Sequence, residues 1–244
     1  MYGICLLTVI PMRKERSDKS EMINQILFGE SFKIIKKEKK WSYIELLHDK
    51  YTGWVCNKQY TIIEKRITQT ITCNKKNCNL LIKKIKQPIV LGSLIPKEKL
   101  IQKKLNITLN LDFGDINNFE KWFLKICKKY LNTPYLWGGR TTFGIDCSGY
   151  TQIIYRLFNI HLPRDAYQQE KIGTDVDFKK RKMGDLAFFE EKKKITHVGI
   201  ILKNNKIIHS SGKVKIDNID KTGIYKDDIL KKYTHKLKSI KRVF

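Results

Sequence analysis

The sequence predicts a multidomain chain: two small β-barrels followed by an α+β domain. Three observations predict it. Residues 1–64 alternate short apolar runs with turn residues and show no helical period. Near residue 115 apolar residues begin to recur at three- and four-residue spacing. After about residue 185 β-type runs return. With 244 residues and 41% apolar content, the chain can bury a proper core, either in one large domain or in a domain with small appended modules.

The elements follow in order. "GICLLTVIPMR" reads as a first strand ended by Pro11. It does not read as a secretion signal, because its basic residues follow the apolar run and no small-residue cleavage site appears. It is also too short to span a bilayer. A cytoplasmic protein with no membrane partner is therefore expected. "SFKIIKKE" is a strand, "KKWSYIELL" alternates, and "TGWV" closes a further hairpin, with Gly29 and Gly53 at turns. These make a barrel over residues 1–64. Residues 65–112 carry weaker runs broken by Pro88, Gly92 and Pro96, and predict a second, reduced barrel. The third domain spans 113–244. In "DINNFEKWFLKICKKYLNTP", Phe119, Trp122, Phe123, Ile126 and Tyr130 mark one face of an Asn-capped amphipathic helix. A second helix opens at Cys147, with Ile153, Ile154, Leu157 and Phe158 as its buried stripe, and a short third follows Pro163 and ends near Gly173. Strands are expected at "DLAFFE", "THVGIIL" and "KIIHSS", with Asn204 and Asn205 turning between the last two.

The formal charge of +25 invites an acidic or nucleic-acid partner. The kind of basic residue argues against nucleic acid. Only 8 of the 49 basic residues are Arg, whereas base readout favours Arg forks. The abundance of Lys, Ile and Asn is what an AT-rich coding sequence produces. The six cysteines are expected to be free thiols in a reducing compartment. Cys73 and Cys78 have no second Cys or His pair nearby, so no metal site is expected there.

The chemistry centres on "YLWGGRTTFGIDCSGY", residues 135–150. A thiol ionises at about 8.5, and a helix N-terminus lowers that value through its unpaired N–H groups and dipole. Cys147 stands where a helix opens, so it is a candidate nucleophile. Of five histidines, His197 in "THVGI" and His209 in "IIHSSG" lie on adjacent expected strands, as base and orienter. Strand alternation imposes a condition on this pair. A strict two-residue turn at Asn204-Asn205 would put the two rings on opposite faces. The pair requires an odd-length loop or a bulge.

These motifs resemble those of the NlpC-type bacterial cell-wall cysteine peptidases, which have a papain-like fold. The matching pieces are "TPYLWGG", "DCSGY", "LPRDAYQQ", "GDLAFF", "HVGI" and "IIHSSG", in order across residues 133–212. The preceding segments resemble bacterial SH3-like domains. Two such barrels before this domain resemble the γ-D-glutamyl-L-diamino-acid endopeptidases of cell-wall peptide recycling. The resemblance implies Cys147 as nucleophile, His197 as base and His209 as third member, with Tyr135 and the Cys147 N–H stabilising the oxyanion. It implies that Asp146, flanking Cys147 with Ser148, helps to bind the free amine of L-Ala, and that Trp137 and Arg164 line the substrate site. It further implies a carboxylate from the first barrel for that amine; Glu30 in "LFGES" is the candidate, with Tyr51 or Tyr60 as aromatic partner. The expected substrate is a short peptidoglycan-derived peptide, and the expected enzyme is a monomer needing no cofactor and no metal. An amidase or acyltransferase on the same Cys-His scaffold, or a non-catalytic wall-peptide binder, is the alternative.

Overall fold

A computed structural model describes residues 1–108, 118–226 and 232–244. The expected boundary between residues 112 and 113 lies outside the described residues. The chain divides into two compact units, Met1–Ile116 with Trp137–Thr142, and Asn117–Leu136 with Phe143–Phe244.

The first unit opens with an antiparallel sheet built from Tyr2–Ile4, Val9–Arg13, Met22–Leu27, Ser31–Lys37, Trp41–Leu46, Thr52–Cys56 and Thr61–Ile63. Alternation along these strands turns Ile10, Met12, Ile26, Phe32, Ile44, Leu46 and Val55 into one buried cluster. The single strand expected to end at Pro11 is two strands, and Pro11 lies inside the second. That strand pairs fully with Met22–Leu27 on one side but meets Thr52–Cys56 only at Arg13↔Trp54. On that open side proline's missing N–H costs no ladder bond. A second cluster gathers Phe28, Cys73, Leu80, Ile89, Ile95 and Ile107. Around it lie a three-stranded sheet (Asn77–Ile82, Ile85–Val90, Ile107–Thr108), a two-stranded one (Thr70–Thr72, Leu94–Pro96) and an unforeseen helix, Lys99–Lys104. The Cys73 and Cys78 sulfurs are 3.5 Å apart and are not joined in a disulfide.

The second unit has the helix Phe119–Lys128, capped by the Asn118 side chain accepting from the Lys121 N–H. The first residues of the expected helix, 115–117, lie outside the described residues. Its apolar stripe forms an aromatic group of Phe119, Phe123, Tyr155 and Phe158. The helix Cys147–Arg156 is buried on every side rather than along one stripe. Its polar residues are therefore obliged to find partners. Thr151 bonds to Ser148 O and to Gln169, and Gln152 bonds to Leu162 O. The short helix after Pro163 is Ala166–Gln169.

The sheet of this unit runs Thr174–Asp175, Tyr233–Arg242, Leu186–Glu191, Lys194–Ile201, Lys206–Ser211, Lys213–Ile219 and Gly223–Tyr225. Gly223–Tyr225 also pairs with Tyr233–Arg242. That second pairing closes six of the strands into a barrel. The helix Cys147–Arg156 packs against Lys194–Ile201 and Lys206–Ser211, the strands that carry the two histidines. Among the described residues, no helix is long and apolar enough to cross a membrane.

Candidate active site

The hairpin between the two histidine strands decides their geometry. Gly199 pairs with His209, Ile200 with Ile208 and Ile201 with Ile207, and Leu202 N–H bonds to Lys206 O. Lys203, Asn204 and Asn205 therefore form a three-residue loop. Asn204 and Asn205 take left-handed φ values of 56° and 53°, which asparagine tolerates better than other non-glycine residues. This is the odd-length loop that the pairing demanded, and it puts His197 and His209 on one face. Gly199 is small for the same reason. A Cβ there would come 2.9 Å from the Cβ of His209.

His197 Nε2 lies 2.8 Å from His209 Nδ1. His209 Nε2 lies 3.1 Å from Asp217 Oδ2, and Lys215 Nζ is 2.8 Å from that same oxygen. His235 adds a ring that no sequence pattern announced; its centroid is 4.3 Å from that of His197, with the two planes tilted by 30°. A cavity of about 620 Å³ opens on this group, lined by Tyr135, Glu190, His197, Ser211 and His235 among others.

Cys147 stands at the first turn of its helix, 7% exposed. Burial pushes its thiol up to about 12, and the Asp146 carboxylate adds to the rise. The Val198 N–H, Arg164 and the Ser148 N–H oppose it without prevailing. The expectation that the helix start would lower this pKa is thus corrected. The donors are present, but burial outweighs them. The Val198 N–H on the sulfur also brings Cys147 to the backbone next to His197. Burial, then His209, His235 and Lys215, hold His197 well below its ordinary value. At neutral pH both members of the pair are uncharged. If His197 is the base, the thiol proton passes to it as a substrate arrives.

This fixes a sign for the pH profile. The active form carries a neutral His197, and activity falls as acid protonates it. Because its pKa is lowered, the plateau of kcat/KM should extend below pH 6.5 before it declines. Kinetics from pH 4 to 9 would check this; an acid midpoint at or above 6.5 would contradict it.

Tyr135 is anchored by its own backbone. Its N–H bonds to Gly212 O, and it bridges to Ile145, two residues before the nucleophile. Burial raises its hydroxyl pKa, and the neighbouring Cys147 and Asp146 add to the rise. Tyr135 thus keeps its proton, and its hydroxyl stays a donor.

Three of the expected substrate residues form a buried polar cluster instead. Asp146 caps the helix through the Gly149 N–H at 2.7 Å. Arg164, 2% exposed, forks onto both oxygens of Asp146 and donates to Ser148 Oγ at 3.0 Å. In this structure the Asp146 carboxylate is engaged by Arg164 and the Gly149 N–H, and Ser148 Oγ by Arg164, beside Cys147. A fork onto a carboxylate is the geometry that makes such burial tolerable.

Glu30 and Tyr60, expected from the first barrel, have partners within their own unit. Glu30 is fully buried, and its oxygens accept from Arg140 Nη1 and Nη2, each at 2.8 Å, and from the Leu27 N–H. It is the anchor for the Trp137–Thr142 segment, not a free carboxylate. The Tyr60 ring stands edge-on to Phe32, with its hydroxyl on Ser42, and Tyr51 packs against the same barrel core. Trp137 is 60% exposed, and its indole N–H donates to Glu21.

Comparison with known proteins agrees with this architecture. A family model described as the NlpC/P60 family matches residues 132–232, and one described as a bacterial dipeptidyl-peptidase Sh3 domain matches residues 12–59. A gamma-D-glutamyl-L-lysine dipeptidyl-peptidase of Bacillus subtilis (strain 168) is 44% identical over 84 residues, 33% of this chain and 28% of that protein. The murein DD-endopeptidase MepS/murein LD-carboxypeptidase of Escherichia coli (strain K12) is 41% identical over 78 residues, 32% of this chain and 42% of that protein. The match thus spans well under half the length of either relative. The crystal structure of an NlpC/P60 family protein from Bacillus cereus ATCC 10987 superposes with a TM-score of 0.78, covering 100% of this chain and 99% of that one. At 18% identity that likeness establishes the fold alone. The chain therefore carries a bacterial dipeptidyl-peptidase SH3 domain followed by an NlpC/P60 domain, and Cys147, His197 and His209 all fall within the latter.

Proposed function

We propose that the chain is a cysteine peptidase that hydrolyses the bond between the γ-carboxyl of D-Glu and an L-diamino acid in cell-wall peptides. The observation that carries this is the bonded pair His197–His209 on one sheet face, with Cys147 held by the Val198 N–H beside it. His197 takes the thiol proton, and the sulfur attacks the γ-carbonyl carbon. The oxyanion that forms is met by the Tyr135 hydroxyl and the Cys147 N–H. His197 then gives its proton to the departing amine, the C–N bond breaks, and a thioester remains. Water, deprotonated by the same imidazole, releases the γ-glutamyl product and restores the thiol. The cavity on the His197 face is suited to receive the departing diamino acid, because the imidazole that protonates the amine must face it.

The test is incubation of the full chain with L-Ala-γ-D-Glu-L-Lys and with its diaminopimelate counterpart, reading the released diamino acid by mass spectrometry. Release of the free diamino acid is the expected result. Both tripeptides left intact, with an acyl group transferred to another amine in their presence, would favour an acyltransferase instead. Tyr135→Phe should lower kcat roughly 10²–10³-fold with little change in KM, since the donor acts only as the oxyanion develops. A change confined to KM would remove Tyr135 from the oxyanion.

A further inference from the structure

The protons of the two histidines are ordered from a third strand. Asp217 lies on Lys213–Ile219, which pairs with the strand of His209 through His209↔Lys215. An ionised carboxylate can only accept hydrogen bonds. Burial alone would raise the Asp217 carboxyl, but the hydrogen bonds from His209 and Lys215 outweigh it and hold the group at about 2. Asp217 is therefore ionised at any working pH. The proton between it and His209 must sit on His209 Nε2, 3.1 Å away. His209 is kept neutral by burial, which outweighs the pull of Asp217. A neutral imidazole protonated on Nε2 offers Nδ1 as an acceptor. The 2.8 Å contact to His197 must then be donated by His197 Nε2. That leaves the lone pair of His197 on Nδ1, the nitrogen not engaged by His209.

We propose that Asp217 is a positioning residue that dictates, through His209, which nitrogen of His197 is free to act as the base. The other groups facing this chain of bonds do not set its direction. Lys215 binds the carboxylate itself. His235 stacks on His197, but its Nδ1 is engaged with Thr234 Oγ1. Phe189, whose ring also approaches His197, has no proton to exchange. Asparagine at 217 would break the logic, because its amide NH₂ can donate where the carboxylate could only accept. A donor there places the His209 proton on Nδ1, makes His197 Nε2 the acceptor, and moves the His197 proton to the nitrogen that should be the base.

The test uses the full chain with ¹⁵N-labelled histidine and reads the tautomers from two-bond ¹H–¹⁵N correlations. In the unmodified protein at neutral pH, His197 and His209 should both carry their proton on Nε2. Asp217→Asn should shift both rings to Nδ1–H and lower kcat roughly 100-fold or more, with KM within about threefold. Asp217→Glu keeps an acceptor and should retain the Nε2–H tautomers and most of the rate. A His209 protonated on Nδ1 in the unmodified protein would overturn the proposal, whether or not the variants fold. Unchanged tautomers in Asp217→Asn would overturn it as well. The kinetic part rests on the peptidase reading and the spectra do not, so failure of one is distinguishable from failure of the other.

Discussion

Cys147→Ala is expected to lower kcat for cleavage of L-Ala-γ-D-Glu-L-Lys by roughly 10⁴-fold or more while shifting Tm by no more than about 3 °C. The proposed reaction runs through a covalent thioester at Cys147. Cys127 is fully buried on the helix Phe119–Lys128, where burial pushes its thiol to about 12. Cys5 sits in the barrel core with its thiol pushed equally far. Cys147 is also small and already enclosed by its own helix, so losing one sulfur atom leaves little unsupported volume. Activity and stability should therefore separate cleanly. Calorimetry should still show tripeptide binding to the variant, since the groups that shape the site are untouched. Residual turnover within about tenfold of wild type would remove Cys147 from the chemistry.

Cys147 and its two histidine neighbours are legible in the sequence because each sits in a local pattern with a physical reason. "GIDCSGY" places an N-cap carboxylate and small residues at a helix start. "HVGI" and "IIHSSG" place two imidazoles on neighbouring strands. The demand for an odd loop between them followed from alternation alone, and the three-residue loop meets it. Asp217 and His235 were not found, because each depends on a pairing between elements that no short motif marks. Asp217 reaches His209 through a hairpin turning at Gly212, which no short motif marks. His235 reaches His197 only because Tyr233–Arg242 is the long strand that closes the barrel. The ionisation of Cys147 was misjudged for a related reason. A sequence shows that a residue heads a helix; it does not show that the whole helix is buried. Charge partners are equally invisible. Glu30, Asp146 and Arg164 carry the right charges for a substrate ammonium or carboxylate, yet the fold pairs them with the chain's own groups.

Glu30→Ala is expected to destabilise the first unit by about 3–5 kcal/mol, because it strands the Arg140 guanidinium in a fully buried position. The cost is not the value of one hydrogen bond but that of a desolvated charge without its counter-charge. One feature softens it. Asp49 is held below the ordinary carboxylate range, with burial opposing and His48, then Arg140, prevailing, so Arg140 keeps a second acidic neighbour. The lower end of the range, about 3 kcal/mol, is accordingly expected. The paired change Glu30→Leu with Arg140→Met should recover most of the loss, since replacing both charges with apolar groups of similar volume removes the desolvation penalty along with the attraction. Hydrogen exchange of the amides in Ser31–Lys37 and Trp41–Leu46 reads this opening energy directly, without requiring the whole chain to unfold in one step. Kinetics discriminate this role from substrate recognition. A carboxylate that binds a peptide ammonium would, on removal, raise KM for the free-amine tripeptide far more than for its N-acetyl form. A carboxylate committed to Arg140 should affect both substrates alike, and only as far as the folded fraction falls. A free-amine-selective loss in Glu30→Ala at full occupancy of the folded state would return Glu30 to the substrate, and the Arg140 fork would then need a partner other than the one it has here.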